Sequence, residues 1–332
     1  MTKHKRPTLQ DIATHLGVTK MTISRYLRNP SSVAAKTQTR IAQAIETFGY
    51  IPNRVPDILS NAKSRAIGVL IPSLTNQVFA DVIKGIEMIT DNAGYQTMLA
   101  HHGYSEQKEE KRIESLLSYQ IDGLILSENH HSPRTLKMLE VANIPVIEIM
   151  ESCEIGISQA IGFDNVSAAQ SMIETMINRG YRNIVYFCAR MDRRTKLKMQ
   201  GYNQTMKKYG LTPQIVMTES PSSFTLGAEQ LHQALSRYPQ MNGIFCTNDD
   251  LAIGALFECQ RLGISVPQQI AIAGFHGHDV GQSITPQLAT VITPRLEIGR
   301  TAAQELLNQI QGIPRQSYII DLGYRIHLGE SI

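Results

Sequence analysis

No stretch of this chain approaches the roughly 18 consecutive apolar residues that a membrane-crossing helix needs. Cysteine is scarce: Cys153, Cys188, Cys246 and Cys259 are scattered without a Cys-x-x-Cys pair, which argues against a disulfide framework or a zinc site. Cys188 and Cys246 stand in apolar, strand-like runs, where a buried thiol is the usual outcome. The chain has no His-Glu-x-x-His, no P-loop, and no Gly-x-Gly-x-x-Gly after its first apolar strand, so three common enzyme classes lack their signature. Acid is missing from one place in particular. The first 65 residues hold three Asp or Glu against eleven Lys or Arg, a net of +8, and the remainder sums to −5 because the whole is +3. A basic head on a mildly acidic body predicts that one part touches a polyanion while the other does something else.

What is present suits two or three domains: 332 residues, 42% hydrophobic and 18% charged, enough to bury sizeable cores throughout. The basic N-terminus runs into Pro7 and a polar helix instead of an apolar segment, so no secretory signal is expected and the protein should be soluble and cytoplasmic.

The head predicts three short helices. Thr8 is a good N-cap, with Asp11 placed to complete a capping box; Ile12, Ala13 and Leu16 share a face, and Gly17 is the natural stop. Thr19 caps a second helix through about Leu27, with Ile23 and Leu27 inward, and a third spans roughly Lys36 to Phe48 before Gly49. Two short helices across a tight turn form a helix-turn-helix, whose second helix enters the major groove. Lys20, Met21 and Arg25 fall off its inward face, so Arg25 can bridge guanine O6 and N7 and Met21 can pack on a thymine methyl. Thr19, Thr22 and Ser24 suit phosphates. Residues 50–65 read as a linker with content. Pro56 opens a helix of about Asp57–Asn61, too short to stand alone in water, and Ile58 and Leu59 suit a minor-groove wedge.

From Ser64 on, apolar strands alternate with amphipathic helices. Strands are predicted at Ala66–Ile71, Tyr95–Ala100, Asp122–Leu126, Pro145–Ile149, Asn183–Phe187, Gln214–Thr218, Gly243–Cys246 and Ile270–Gly274, with a last one at Tyr318–Ile326. Helices are predicted at Phe79–Asn92, Glu106–Tyr119, Ser167–Arg179, Leu197–Tyr209, Gly227–Tyr238 and Leu251–Leu262, and another starts at Pro133. So many units imply two doubly wound lobes with parallel sheets, and ligands in such sheets bind beyond the carboxyl ends of the strands. The polar groups in those places are Ser73, Asn76 and Gln77, then Asp164 and Asn165, Asn248 and Asp249, and His276 with His278. Arg193, Arg194 and Lys198 form a basic patch after another strand.

Several stretches carry a resemblance. Thr8-Leu9-Gln10-Asp11-Ile12-Ala13, Gly17-Val18-Thr19, Thr22-Ile23-Ser24-Arg25 and Tyr50-Ile51-Pro52-Asn53 look like the lactose/galactose repressor family over essentially the whole chain. Within that family the nearest likeness is to the gluconate and idonate utilisation repressors, through Ile58-Leu59-Ser60-Asn61-Ala62, Pro72-Ser73-Leu74-Thr75-Asn76-Gln77, Phe245-Cys246-Thr247-Asn248-Asp249-Asp250 and Ala273-Gly274-Phe275-His276-Gly277-His278. The resemblance implies an all-α helix-turn-helix DNA-binding head (1–49), a linker with a hinge helix (50–65), and a two-lobed, periplasmic-binding-protein-like α/β effector and dimerisation domain (66–332). Its lobes would hold about 66–163 with 294–320, and 164–293 with 321–332. DNA contacts are expected at Thr8, Thr19, Lys20, Met21, Thr22, Ser24, Arg25, Asn53, Arg54, Ile58 and Leu59, and effector contacts at Asn76, Gln77, Phe79, Asp164, Arg193, Arg194, Lys198, Asn248, Asp249 and His276.

Two positions depart from the family. That of His276 usually carries an Asp gripping sugar hydroxyls or a base nitrogen, and that of Lys198 usually an Arg. Exchanging carboxylate for imidazole removes repulsion toward an anion, so a sugar acid such as gluconate, 5-ketogluconate, idonate or 6-phosphogluconate is expected in the cleft. The expectation is a homodimeric repressor on a palindromic operator, with no enzyme activity, cofactor or metal; the chain has no Leu heptads of the kind that tie dimers into tetramers. Alternatives are regulation by another sugar, phosphosugar or corepressor, or a sugar-binding protein without regulatory role. His276 and His278, with the pairs His101-His102 and His130-His131, invite a metal reading, but their spacing is not that of zinc ligands.

Overall fold

The computed structural model describes residues 6–53, 63–152 and 156–332. The chain divides into two units, Met1–Ser64 and Arg65–Ile332.

In the first unit α1 (Leu9–Leu16) begins with the capping box of Thr8 and Asp11 and stops at Gly17, whose φ of 63° is left-handed. Thr19 caps α2 (Lys20–Arg28), and a 3₁₀ turn at Pro30–Ser32 leads into α3 (Ala35–Phe48), which ends on left-handed Gly49. Ile12, Ala13, Ile23, Ile41, Ala44 and Tyr50 make the shared core, with Leu16, Leu27, Ile45 and Phe48 packed around it. The Arg40 guanidinium reaches back 2.9 Å to the Leu16 carbonyl, satisfying one orphan acceptor at the end of α1.

The second unit holds two six-stranded sheets. The first contains β1 (Ala66–Ile71), β2 (Gln96–His101), β3 (Gly123–Leu126), β4 (Val146–Ile149), β5 (Gln159–Gly162) and β11 (Ile319–Asp321), in the order β11-β5-β4-β3-β1-β2. In the second, β6 (Ile184–Ala189), β7 (Gln214–Thr218), β8 (Gly243–Cys246), β9 (Ala271–His276), β10 (Ala289–Ile292) and β12 (Arg325–His327) run β12-β10-β9-β8-β6-β7. All pairings are parallel except β10 with β12. The central strands are buried on both faces, which is why they read as unbroken apolar runs.

The helices are α4 (Val78–Thr90), α5 (Glu106–Ser118), α6 (Pro133–Ala142), α7 (Asn165–Asn178), α8 (Arg193–Lys208), α9 (Phe224–Arg237), α10 (Asp249–Leu262), α11 (Asp279–Ser283) and α12 (Arg295–Ile310). The chain crosses between sheets after β5, after β10 and between β11 and β12. On the way back α12 packs on α4 at backbone contact: a β-carbon at Gly299 would lie 2.0 Å from the Val82 carbonyl oxygen.

Four expectations need correction. The single last strand at Tyr318–Ile326 is two strands in different sheets, because Gly323 at φ 65° lets the chain turn between them. Strands β5 and β10 were not anticipated. Helix α12 was not anticipated either. Finally, α8 starts at Arg193 instead of Leu197, because Asp192 caps it by accepting from the Thr195 amide at 2.8 Å. Cys188, Cys246 and Cys259 are free and buried; Cys153 lies outside the described residues.

Candidate functional site

On the head, Ile23 is fully buried, while Lys20, Met21 and Arg25 are exposed together on the other side of α2; Met21 is 66% exposed. The short hydroxyls are more committed than expected. Thr8 bonds Asp11 through its hydroxyl (2.7 Å), and Thr19 and Thr22 bond one another (3.0 Å) while Thr19 caps the helix. Ser24 is half-buried and Asn53 exposed; Arg54, Ile58, Leu59 and the expected hinge helix lie outside the described residues.

In the second unit a narrow cleft, with about 30 Å³ of free volume, opens where loops beyond the carboxyl ends of both sheets meet. Asn76, Val78, Phe79, Tyr104 and Met150 come from the first sheet; Ala189, Arg190, Asp192, Arg194, Thr195, Lys198, Asn248 and His276 come from the second. At its floor Lys198 is 2% exposed, donates to the Thr247 carbonyl at 3.1 Å and to His276 Nε2 at 3.0 Å, and lies 4.0 Å from the Phe275 ring centre. Because Nε2 accepts, the imidazole proton sits on Nδ1 and points to Thr293 Oγ1 at 3.2 Å. Burial first, and then the charge of Lys198, push the His276 pKa well below the usual histidine range, so the ring is neutral. Burial pulls Lys198 down to about 7, with Asp192 and Asp249 opposing and Arg194 adding to the fall.

The expected basic patch is an ion-pair lattice. Arg194 bonds Glu128 (2.8 Å) and the Ser127 carbonyl (2.6 Å), and Arg193 bonds Glu151 (3.1 Å) and His130 (2.5 Å), all of them on loops of the first sheet. These arginines tie the lobes, and Arg193 does not line the cleft. Three other expected contacts are placed elsewhere. Gln77 is exposed beside the start of α4; Asp164 caps α7 by accepting from Val166 and Ser167; Asp249 is fully buried between the Thr290 hydroxyl (2.7 Å) and the His278 amide (2.6 Å). A carboxylate just past a strand end is equally the first turn of the next helix, and that helix claims it. Asn76, Phe79, Arg194, Lys198, Asn248 and His276 do line the cleft, and Tyr104 and Arg190 are the additions with chemistry.

Strain gathers here too. Of seven non-glycine residues with positive φ among those described, four line the cleft: Tyr104 (59°), Met150 (79°), Arg190 (51°) and His276 (103°). Such conformations cost about 1–3 kcal/mol each and persist where a side chain must be aimed.

The histidine pairs form no metal centre among the described residues, where no group of three His, Cys, Asp or Glu could hold an ion. His131 is instead enclosed by Glu109 and Glu148. No described helix is long and apolar enough to cross a membrane.

Known proteins match both units. Residues 8–53 match the bacterial regulatory proteins of the lacI family, and 64–324 match the periplasmic binding proteins and sugar binding domain of LacI family. The HTH-type transcriptional regulator GntR of Escherichia coli K12 is 57% identical over 330 residues, 99% of this chain and 100% of that protein. The regulator IdnR of the same strain is 46% identical over 331 residues, again 99% and 100%. The crystal structure of a LacI family regulator from Silicibacter pomeroyi superposes with a TM-score of 0.90 at 31% identity, covering 98% of this chain and 99% of that one. A capped helix-turn-helix, two lobes around a polar cleft, and full-length kinship with regulators agree: the chain belongs to the lacI family and is a DNA-binding transcriptional regulator, not an enzyme.

Proposed function

We propose that this regulator is a cytoplasmic homodimer that represses sugar-acid utilisation genes and leaves a palindromic operator when gluconate or a related sugar acid enters the cleft. The observation that carries this reading is the charge of the cleft. Lys198 and Arg190 line it without an ion-pair partner among the described residues, beside a neutral His276 and with Asp192 as the one lining carboxylate, so the lining favours an anionic ligand over a neutral one. The likeness to gluconate and idonate repressors favours the same ligand class. Asn76, Phe79, Arg194, Asn248 and His276 would shape the rest of the contact. On the head, Lys20, Met21 and Arg25 would read bases, with Thr8, Thr19, Thr22, Ser24, Asn53 and Arg54 on the backbone and Ile58 and Leu59 in the minor groove.

Regulation then follows from linkage: a ligand that favours one lobe arrangement and DNA that favours another weaken each other by the same factor. Operator gel shifts titrated with gluconate, 5-ketogluconate, idonate, 6-phosphogluconate and galactose test ligand and sign together. We expect the acids to release DNA and galactose to do nothing; release by galactose alone would refute the sugar-acid reading, and tightening by an acid would refute induction. In the same assay Arg25→Ala should lower the ratio of operator to scrambled-DNA affinity by about tenfold or more, as loss of a bidentate guanine contact worth about 1–3 kcal/mol. Lys36→Ala, on the exposed start of α3, should weaken both DNAs alike. An unchanged ratio for Arg25→Ala would remove it from the base-reading set.

A further inference from the structure

We infer that Arg190, seated on the ring of Tyr104, is the specificity-determining residue that reads the effector's carboxylate. The inference rests on the sugar-acid reading of the cleft and names the group within it that recognises the acid.

Arg190 follows the last residue of β6, and Tyr104 follows β2 in the other sheet. Both backbones are left-handed, at 51° and 59°, and the two side chains meet across the cleft. The guanidinium carbon lies 4.2 Å from the ring centre, and Nη1 donates to the Tyr104 hydroxyl oxygen at 2.6 Å. That oxygen also accepts from Asn76 Nδ2 at 3.1 Å. With two donors already on the oxygen, the phenolic proton is left for a third party, and no described residue accepts it. The rest of the Arg190 fork likewise has no acceptor among the described residues. The pair therefore presents donors only, plus one permanent positive charge, which is the complement of a group that only accepts and is negative.

The other cations are less suited. Arg193 and Arg194 are engaged by Glu151 and Glu128, and Lys198 spends two of its three protons on Thr247 and His276. Its remaining proton, with the Asn248 amide, suits the hydroxyls of a polyol chain. The one carboxylate lining the cleft, Asp192, faces the Thr195 amide at the start of α8. Stacking on Tyr104 also lowers the entropy lost when the arginine is fixed by ligand, since the fork is already held.

Calorimetry with gluconate on the full-length protein and on Arg190→Gln, Arg190→Lys and Tyr104→Phe tests this. Glutamine and lysine both keep hydrogen-bond donors at this position, and lysine alone keeps the charge. We expect Arg190→Lys to bind gluconate more weakly than wild type because it loses the stacked fork, Arg190→Gln to bind at least tenfold more weakly again because it also loses the charge, and Tyr104→Phe to lose severalfold with its ring still in place. Equal affinities for the glutamine and lysine variants would overturn the assignment, as would a Tyr104→Phe protein that binds like wild type. Wild-type protein that fails to bind gluconate or any related sugar acid would overturn the sugar-acid reading itself, and this inference with it.

Discussion

Replacing His131 with alanine should lower the unfolding free energy by about 3–5 kcal/mol, the scale on which removing one partner from a buried ion pair acts. The ring is 1% exposed and lies between Glu109 (2.9 Å) and Glu148 (3.3 Å), themselves 4% and 1% exposed. Burial alone would lower its pKa, but the hydrogen bonds and charges of the two glutamates overrule it and raise the value to about 9. The imidazolium thus joins α5, the loop before α6 and β4; Glu148 also accepts from the Gly156 and Ile157 amides (3.0 and 2.8 Å). Alanine would leave two buried carboxylates facing each other across a hole. The pH dependence carries a sign. A histidine with a raised folded-state pKa contributes fully below its unfolded value near 6.5, and that contribution is lost as pH rises through about 9. Denaturant titrations at pH 6, 8 and 10 should show wild type losing this stability toward pH 10 and His131→Ala lacking that component. A variant within 1 kcal/mol of wild type at pH 6, on the scale of ordinary surface changes, would show that the triad is no anchor.

Replacing Lys198 with methionine should weaken gluconate binding by about 100-fold, the lower end of what truncating a buried, hydrogen-bonded charge does at an interface. Methionine fills similar volume above Phe275 but removes the ammonium. The same variant should abolish a pH effect. In the empty cleft burial holds Lys198 near 7, with Asp192, Arg194, Asp249 and His276 as the surrounding groups. A bound anion favours the charged form, so binding above pH 7 takes up a proton. Affinity should be nearly flat below about pH 6.5 and fall by up to tenfold per pH unit above about 7.5. Calorimetry in buffers of different ionisation enthalpy would detect the proton directly. Wild-type affinity that is constant from pH 6 to 9 would mean that Lys198 does not sense the ligand.

Much of the head was legible because its signals are local. Thr8, Gly17, Thr19 and Gly49 act within four residues of themselves, and each sits at the helix end where its chemistry places it. The central strands were legible for a different reason, since burial on both faces writes a continuous apolar run. Strands β5 and β10, Gln-Ala-Ile-Gly and Ala-Thr-Val-Ile, are no shorter than β3 or β8, but Gln159 and Thr290 break the apolar run. The cleft was readable to the extent that strand ends mark it, as Asn76, Asn248 and His276 show. It was unreadable wherever a partner comes from the other sheet. Arg194 and Glu128 are 66 positions apart, and Arg190 and Tyr104 are 86, so no local pattern reveals that one arginine meets a carboxylate and the other a tyrosine.

The left-handed residues around the cleft have a consequence for anyone engineering this protein. Glycine or asparagine adopts such a backbone with little penalty, so heat resistance and effector recognition pull in opposite directions at Tyr104 and Arg190, whereas Met150 is held in place by the core it fills. A library selected for thermal survival alone should accumulate substitutions at these two positions. It would return sturdier regulators that still hold their operator and no longer hear the metabolite.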